Sequence, residues 1–168
     1  QFRQYGCTEF HGIVNYKKQL IKAYFSENGE HFNTIWYDED KPLGTGGGLS
    51  LLKGKLSGTF FLTNCDLLIF TDYEKLLRFH RESGSAVTMV CAEKRITIPY
   101  GVVETGEGGV ITAMREKPAF QFLTNTGLYL VEPEVLDDIG EDEVIGFPDI
   151  IERQRHKGRR VSAYTVGE

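Results

Sequence analysis

A dense cluster of glycines constrains the first third of this chain more than any other local feature. Four of the five residues from 44 to 48 are glycine, and the cluster separates a strand-like segment from an apolar run that starts at Leu49. Glycine accepts backbone conformations closed to other residues and lets other groups approach the main chain. Such a cluster is either a structural turn or a loop whose N–H groups converge on phosphates and nucleobase edges.

Strand-like and helix-like segments alternate from residue 10 to residue 92. The predicted strands are 10–15, 32–37, 59–63 and 86–92, and the predicted helices are 16–27, 49–52 and 72–83. Residues 59–63 are apolar enough for a strand buried in a parallel sheet. Alternation of this kind predicts right-handed crossovers in a doubly wound α/β sheet.

Two of these helices carry clear apolar faces and end signals. In the first, one face bears Leu20, Ile21, Tyr24 and Phe25, and the predicted stop is Asn28-Gly29. In helix 72–83 the inner stripe is Tyr73, Leu76, Leu77 and His80, and Thr71 with Glu74 forms the predicted capping box. Helix 72–83 is therefore expected to face the core with this stripe.

From Pro99 onward the pattern changes to short strands around glycines. Residues 100–104 and 110–115 predict a β-hairpin inserted into the parallel framework, so the sheet is expected to be mostly parallel but mixed. A strand at 128–131, a short helix after Pro133, a helix over 147–157 and a strand at 161–166 complete the chain. No linker or repeat divides it, and residues 1–168 are expected to form one domain.

Composition excludes several classes of protein. With 40% hydrophobic residues and a formal net charge of -5, the chain is typical of a globular protein without a nucleic-acid groove as its main surface. A basic cluster near the end is predicted to be a solvated helix face; its members are Arg153, Arg155, Lys157, Arg159 and Arg160. No run is apolar enough for a membrane span, so neither nucleic acid nor membrane is an expected partner.

The three cysteines, Cys7, Cys65 and Cys91, are far apart and lack metal-ligand spacing. Neither a disulfide framework nor a zinc site is indicated. A reducing, cytoplasmic location is expected.

Polar residues that directly follow apolar strands are the first candidates for a site, because ligands of doubly wound sheets lie at the carboxyl ends of the strands. Asn64-Cys65-Asp66 follows the strand 59–63. The Asp66 carboxylate there could hold Mg²⁺ against phosphates, since Mg²⁺ usually takes one or two protein carboxylates. The alternative is that Asp66 caps the next turn.

Two further polar segments are candidates. In Glu116-Lys117-Pro118 an extended backbone would point the carboxylate and the ammonium to opposite sides, toward sugar hydroxyls and a phosphate. Pro118 is expected to keep Lys117 extended. The segment Thr124-Asn125-Thr126-Gly127 could contact a sugar or form a turn.

Taken in order, these segments resemble the motifs of the sugar-1-phosphate nucleotidyltransferases, or nucleotide-sugar pyrophosphorylases, which include mannose- and glucose-1-phosphate members. The segments are Leu43-Gly44-Thr45-Gly46, Asn64-Cys65-Asp66, Tyr100-Gly101-Val102, Glu116-Lys117-Pro118, Asn125-Thr126-Gly127-Leu128-Tyr129 and Phe147-Pro148-Asp149-Ile150-Ile151. Each is short, but together they span nearly all of the chain. The resemblance implies a Rossmann-like fold of the nucleotide-diphospho-sugar transferase type.

The resemblance also implies roles for single residues. Nucleotide contacts would come from Leu43, Gly44, Thr45 and Gly46, and sugar contacts from Gly101, Glu116, Asn125 and Thr126. The catalytic residues would be Asp66, which binds the metal Mg²⁺, and Lys117, which neutralises a phosphate.

The chain departs from the family pattern at three places. The glycine-rich signature loop with its catalytic Arg and Lys has no counterpart before Phe10, and the second metal-binding Asp has none after the strand 161–166. We therefore expect an incomplete domain with little turnover on its own. Cys65 replaces the usual glycine of Asn-Gly-Asp, where a small thiol could fill the strand end.

The implied reaction joins a nucleoside triphosphate to a sugar 1-phosphate and releases pyrophosphate. Two alternatives stay open: a non-catalytic nucleotide-sugar-binding regulatory domain, and a nucleotide-sugar-dependent glycosyltransferase, which would usually offer Asp-x-Asp instead of Asn64-Cys65-Asp66. An oxidoreductase is disfavoured because its glycine motif should open the first strand–helix unit. The identities of sugar and base, and homo-oligomer formation, stay open.

Overall fold

A computed structural model describes residues 1–27 and 33–167. Its strands are β1 (Phe10–Val14), β2 (Thr34–Asp38), β3 (Phe60–Thr63), β4 (Val87–Thr97), β5 (Val102–Thr105), β6 (Ile111–Arg115), β7 (Ala119–Val131) and β8 (Val161–Val166). Its α-helices are α1 (Lys18–Glu27), α2 (Gly44–Gly47), α3 (Tyr73–Ser83) and α4 (Phe147–His156). Short 3-10 helices occupy Phe2–Tyr5, Gly48–Leu52, Glu107–Gly109 and Pro133–Asp138. The predicted strand start at Phe32 and the helix stop at Asn28-Gly29 lie outside the described residues.

The central sheet has four strands in the order β3-β7-β4-β8. Strand β7 runs antiparallel to both β3 and β4, and β8 runs parallel to β4. Three of the four strands therefore share one direction, which confirms the doubly wound α/β prediction. The apolar strand β3 is nevertheless half-buried and pairs antiparallel, contrary to its predicted place in a parallel pair.

Alternate residues of β7 face two separate cores. Tyr129 and Val131 belong to a cluster with α4 and the 3-10 helix that follows α2, whereas Leu128 and Leu130 pack with α3. Successive side chains of a strand point to opposite faces, so this division places one helical layer on each side of the sheet.

Strands β1 and β2 form a separate parallel pair. The apolar face of α1 is mostly exposed, and no residue of the helix is buried: Leu20 and Tyr24 are about two-thirds exposed and Phe25 is 43% exposed. Phe25 packs edge-on against Trp36, with ring centroids 5.3 Å apart. Periodicity locates the helix but does not supply a partner for its apolar face.

Helix α3 begins with a different cap from the predicted one. The side chain of Asp72 accepts hydrogen bonds from the backbone N–H groups of Glu74 and Lys75 at 3.1 and 3.0 Å, so Asp72 is the N-cap and Thr71 is not. An aspartate satisfies these orphan donors well. The predicted inner stripe holds, with Tyr73, Leu76 and His80 buried.

The hairpin of β5 and β6 forms a two-stranded sheet of its own and does not join the central sheet. The long antiparallel arm of the central sheet comes instead from β4 and β7, which stay paired as far as Thr97 and Ala119. Sequence patterning located only the end of β7, at 128–131, because the earlier part of this strand is exposed on both faces.

Across residues 1–27 and 33–167, none of the helices has both the length and the apolar character needed to cross a bilayer.

Candidate active site

A cavity of about 260 Å³ opens beside the carboxyl end of β3. Its walls combine α2, the end of β3, the middle of β7 and the first turn of α4. The lining residues are Thr45, Leu62, Asn64, Asn125, Thr126, Gly127, Tyr129, Phe147 and Pro148. Three residues predicted from two separate segments, Thr45 from one and Asn125 and Thr126 from the other, thus meet in one place.

A bulge in β7 shapes one wall of this cavity. Met89 pairs with Tyr129 and Cys91 pairs with Asn125, so three residues of β7 oppose the single residue Val90. Within the bulge Gly127 has φ 86°, a left-handed conformation that favours glycine. Bulges of this kind redirect side chains and are frequent next to active sites.

Hydrogen bonds fix the bulge on both sides. The Thr126 hydroxyl donates to Val90 O at 2.7 Å and accepts from Leu128 N at 3.3 Å. Asn64 N donates to Gly127 O at 3.2 Å, which ties the bulge to the end of β3. The predicted turn at Thr126 is therefore a bulge within one long strand.

The Asn125 side chain is oriented by two neighbours. Its Oδ1 accepts from Gly127 N at 2.9 Å, and its Nδ2 donates to the Tyr129 hydroxyl at 2.6 Å. Because a backbone N–H needs an acceptor, the first bond sets which way the amide faces. Burial raises the pKa of Tyr129, and the hydrogen bond from Asn125 opposes this shift.

The glycine cluster is helical, not an open loop. Gly44–Gly47 forms a single helical turn, here called the glycine turn, and Gly46, Gly47 and Gly48 are buried. Added methyl groups would meet protein at each position: Ile145 O at 2.7 Å from Gly44, Ile150 Cδ1 at 2.5 Å from Gly46, the Glu143 carbonyl oxygen at Gly47 and the Glu39 carboxylate at Gly48. The glycines thus make room for the chain itself, a use that sequence alone does not separate from a phosphate loop.

Thr45, within this turn, and Leu43, directly before it, occupy opposite environments. Thr45 faces the cavity, and its Oγ1 accepts from Phe147 N at 3.1 Å, which satisfies the start of α4. Leu43 is buried, and its carbonyl accepts from Ile145 N at 3.0 Å. A nucleotide contact by Leu43 remains a prediction, and its side chain is a core residue.

Asp66 lies two residues beyond Asn64 in the turn that follows β3. Its carboxylate is exposed and makes neither a hydrogen bond nor an ion pair with the described part of the chain. The expected alternative, that Asp66 caps the next turn, is not what the structure contains. The carboxylate is available to a ligand from solvent.

Gly101 and Glu116 come together at the base of the hairpin, and neither lines the cavity. A methyl group on Gly101 would lie 3.1 Å from Glu116 Oε2. Lys117 departs from expectation: with φ 45° its backbone is left-handed and not extended, despite the following Pro118. A left-handed lysine is strained, and such strain tends to concentrate at functional sites.

Six cavity residues were absent from the predicted set: Leu62, Asn64, Gly127, Tyr129, Phe147 and Pro148. Five of them lie next to or within the motif segments, so adjacency was the available signal. Adjacency in the sequence does not reveal that Thr45 contacts the start of α4, which is 102 residues further along the chain.

A sheet with helices on both faces and a cavity at a strand end is typical of a Rossmann-like domain. The chain belongs to the nucleotidyl transferase family, whose profile, described as "Nucleotidyl transferase", matches residues 2–158.

Curated relatives and solved structures agree with this assignment. The chain is 32% identical over 163 residues to the mannose-1-phosphate guanylyltransferase catalytic subunit beta of Drosophila pseudoobscura pseudoobscura, covering 89% of this chain and 43% of that protein. It is 31% identical over 175 residues to the UTP--glucose-1-phosphate uridylyltransferase of Synechocystis, covering 89% and 45%. The chain thus spans less than half the length of these relatives.

The fold is shared with HddC from Yersinia pseudotuberculosis, at a TM-score of 0.70 and 18% identity, with 98% of this chain and 72% of that chain covered. At this identity the likeness establishes the fold alone.

Proposed function

We propose that this chain is the core of an enzyme that transfers a nucleotidyl group from a nucleoside triphosphate to a sugar 1-phosphate. The observation that carries the proposal is the meeting of Thr45, Asn125 and Thr126 in one cavity of a nucleotidyl transferase domain. Relatives named for mannose 1-phosphate and glucose 1-phosphate support the substrate class.

In the proposed reaction a phosphate oxygen of the sugar 1-phosphate attacks the α-phosphorus of the triphosphate in line. The new P–O bond forms as the bond to the β-phosphate oxygen breaks, and pyrophosphate leaves with that electron pair. Phosphate is itself an adequate nucleophile, so the protein contributes position and charge. Orientation alone can supply roughly 7–11 kcal/mol of barrier lowering.

Asp66 is the proposed ligand of Mg²⁺, and its fit can be judged from this chain. An exposed carboxylate without an internal partner is the type of oxygen donor that Mg²⁺ takes, usually one or two at a time together with phosphate oxygens. Bound there, the metal would neutralise charge on the phosphates. No group of three acidic, His or Cys side chains suited to a metal exists within the described residues, so Asp66 would act with substrate oxygens.

The cavity and the hairpin base would divide the substrate between them. Asn125, held by Gly127 N and the Tyr129 hydroxyl, presents a fixed amide to sugar hydroxyls. Glu116 beside Gly101 would accept hydrogen bonds from the same sugar, and Lys117 would bring a positive charge to a phosphate. Thr45 and the exposed Gly44 would contact the nucleotide.

The cytoplasm is the proposed location. It rests on three free cysteines with different burial, Cys7, Cys65 and Cys91, which suit a reducing compartment.

The test is pyrophosphate release by the protein that carries this chain, expressed at full length. The four nucleoside triphosphates are paired with sugar 1-phosphates, including those of mannose and glucose, in the presence of Mg²⁺. Asp66→Asn should abolish release, while Asp137→Asn, another exposed aspartate, should leave it unchanged. Tight binding of nucleotide sugars without release from any pair would support the regulatory-domain alternative.

A further inference from the structure

The segment from Gly140 to Gly146 lies directly against the glycine turn. Ile145 N donates to Leu43 O and Gly46 N donates to Ile145 O, both at 3.0 Å. The Glu143 carbonyl oxygen occupies the space where a Gly47 side chain would begin. The position of the glycine turn therefore depends on the position of this segment.

One ion pair fastens that segment to α4. Arg153 Nη2 donates to Glu143 Oε1 at 2.6 Å, and Nη1 donates to Glu143 Oε2 at 3.2 Å and to Asp138 O at 2.6 Å. The same carboxylate accepts from Gly140 N at 2.7 Å, which closes the segment on itself. A two-pronged arginine contact fixes direction as well as distance.

We propose that Glu143 and Arg153 are positioning residues that hold the glycine turn, and through it Thr45, at the mouth of the cavity. Neither side chain lines the cavity, so their effect on a ligand is indirect. The link runs from Arg153 to Glu143, from the Glu143 backbone to Gly47, and from the glycine turn to Thr45 and Phe147 N. The ligand consequence rests on the proposed function, whereas the effect on the turn does not.

A second pair on the same helix shows why this one differs from an ordinary surface ion pair. Arg155 and Glu152, three residues apart on α4, are each more than half exposed and bind only each other. Glu143 and Arg153 are each about one-third exposed and join elements ten residues apart. The Arg153 guanidinium and the Gly140 N–H lower the pKa of Glu143 to about 2, so the carboxylate is charged throughout the physiological range. Arg153, predicted to belong to a solvated basic face, instead links α4 to the segment from Gly140 to Gly146 through Glu143.

Amide hydrogen exchange of the 168-residue chain tests the effect on the turn. Glu143→Gln keeps the shape of the side chain but removes its charge, and Arg153→Lys keeps the charge but loses the fork. Both should raise exchange at Gly46 N and Ile145 N by about tenfold, the scale of one lost charge-assisted hydrogen bond. The Val87–Ala92 amides of β4 should not change. Glu152→Gln is the matched control and should alter neither region.

The ligand consequence is read from the dissociation constants of the four nucleoside triphosphates with Mg²⁺, measured on the same substitutions in the full-length protein that carries this chain. We expect Glu143→Gln to weaken binding by about three- to tenfold, and Arg153→Lys to fall between it and the wild type. Unchanged exchange at Gly46 and Ile145 in both variants would overturn the proposal, and so would a loss spread evenly over all amides. If exchange rises locally but the full-length wild type binds none of the four nucleotides, the positioning role stands and the proposed function fails.

Discussion

The cavity wall and the charged residues around it are built in opposite ways. On the wall, Thr45, Asn125 and Thr126 each hydrogen-bond to another part of the chain. Asp66, Glu116 and Lys117 are exposed, and none forms a hydrogen bond or ion pair among the described residues. The wall is explained by folding, whereas the charged residues have no folding role that the contacts reveal.

This difference separates stability from activity. Changes in the wall should destabilise the protein, because they leave buried backbone groups unpaired or overfill packed space. Changes at the charged residues should alter activity with little loss of stability. Lys117 is the strongest case, because its left-handed backbone conformation lowers the stability of the folded protein.

Replacement of Lys117 by glycine should give the largest divergence between the two properties. Removing the ammonium should lower pyrophosphate release by about 10²-fold, the usual scale for one lost charge-stabilising group. Stability should rise by about 0.5–1 kcal/mol, because relief of left-handed strain exceeds the conformational entropy of glycine. Urea unfolding and the release assay measure the two effects.

Lys17→Gly is the matched control, since Lys17 is also an exposed lysine with φ 52°. It should gain similar stability without changing release. A Lys117→Gly variant that keeps full activity would remove Lys117 from the proposed machinery.

Gly47→Ala should show that the glycine cluster serves packing. The new methyl group would overlap the Glu143 carbonyl oxygen and lie 2.8 Å from Leu43 Cβ, so we expect a loss of about 1–3 kcal/mol in the free energy of unfolding. Gly58→Ala, where open space surrounds the position, should change stability by less than about 0.5 kcal/mol. Equal stabilities for the two variants would mean that the Glu143 segment yields freely.

Thr126→Val should weaken the wall by removing one hydroxyl without changing shape. The carbonyl of fully buried Val90 would lose its 2.7 Å donor, which costs about 1–3 kcal/mol. Chemical denaturation of the variant beside Thr124→Val, which alters an exposed residue, measures the difference. A neutral Thr126→Val would indicate that the bulge is held by Gly127 and Asn64 alone.

The smallest expected effect is the loss of the Glu143 contribution to stability at acidic pH. Its folded pKa of about 2 lies below the ordinary 4.5, so its contribution to stability is complete above pH 4.5 and disappears as pH falls through about 2. The stability difference between wild type and Glu143→Gln should therefore be largest at neutral pH and shrink between pH 4.5 and pH 2. A difference that does not vary with pH would contradict this assignment.

Local patterns in the sequence carried much of the fold. Strand–helix alternation, the inner stripe of α3 and the strand β8 follow from apolar spacing alone, and the ordered motifs identified the family. Two features depend on contacts between segments that are far apart in the sequence, so they were not predictable. They are the bulge opposite Val90 and the contact of the glycine turn with Glu143 and Ile145. The exposure of the apolar face of α1 was not predictable either, because periodicity does not show whether another element packs against that face.

At the candidate site, three predicted residues, Thr45, Asn125 and Thr126, line the cavity, but the sequence did not show how they are arranged. Asp66 was recognisable because it directly follows an apolar strand. The left-handed Lys117 was not, since a residue before proline ordinarily prefers an extended backbone. The hydrogen bond from the Asn125 amide to the Tyr129 hydroxyl could be recognised only from the structure.

The central claim is that Asp66 brings a divalent metal to the phosphates of a nucleotide at the end of β3. Paramagnetic Mn²⁺, added with each nucleoside triphosphate to the ¹⁵N-labelled chain, tests it most directly. The account predicts broadening of amide resonances centred on residues 64–68 and its loss in Asp66→Asn. Broadening centred elsewhere, or unchanged in Asp66→Asn, would contradict it.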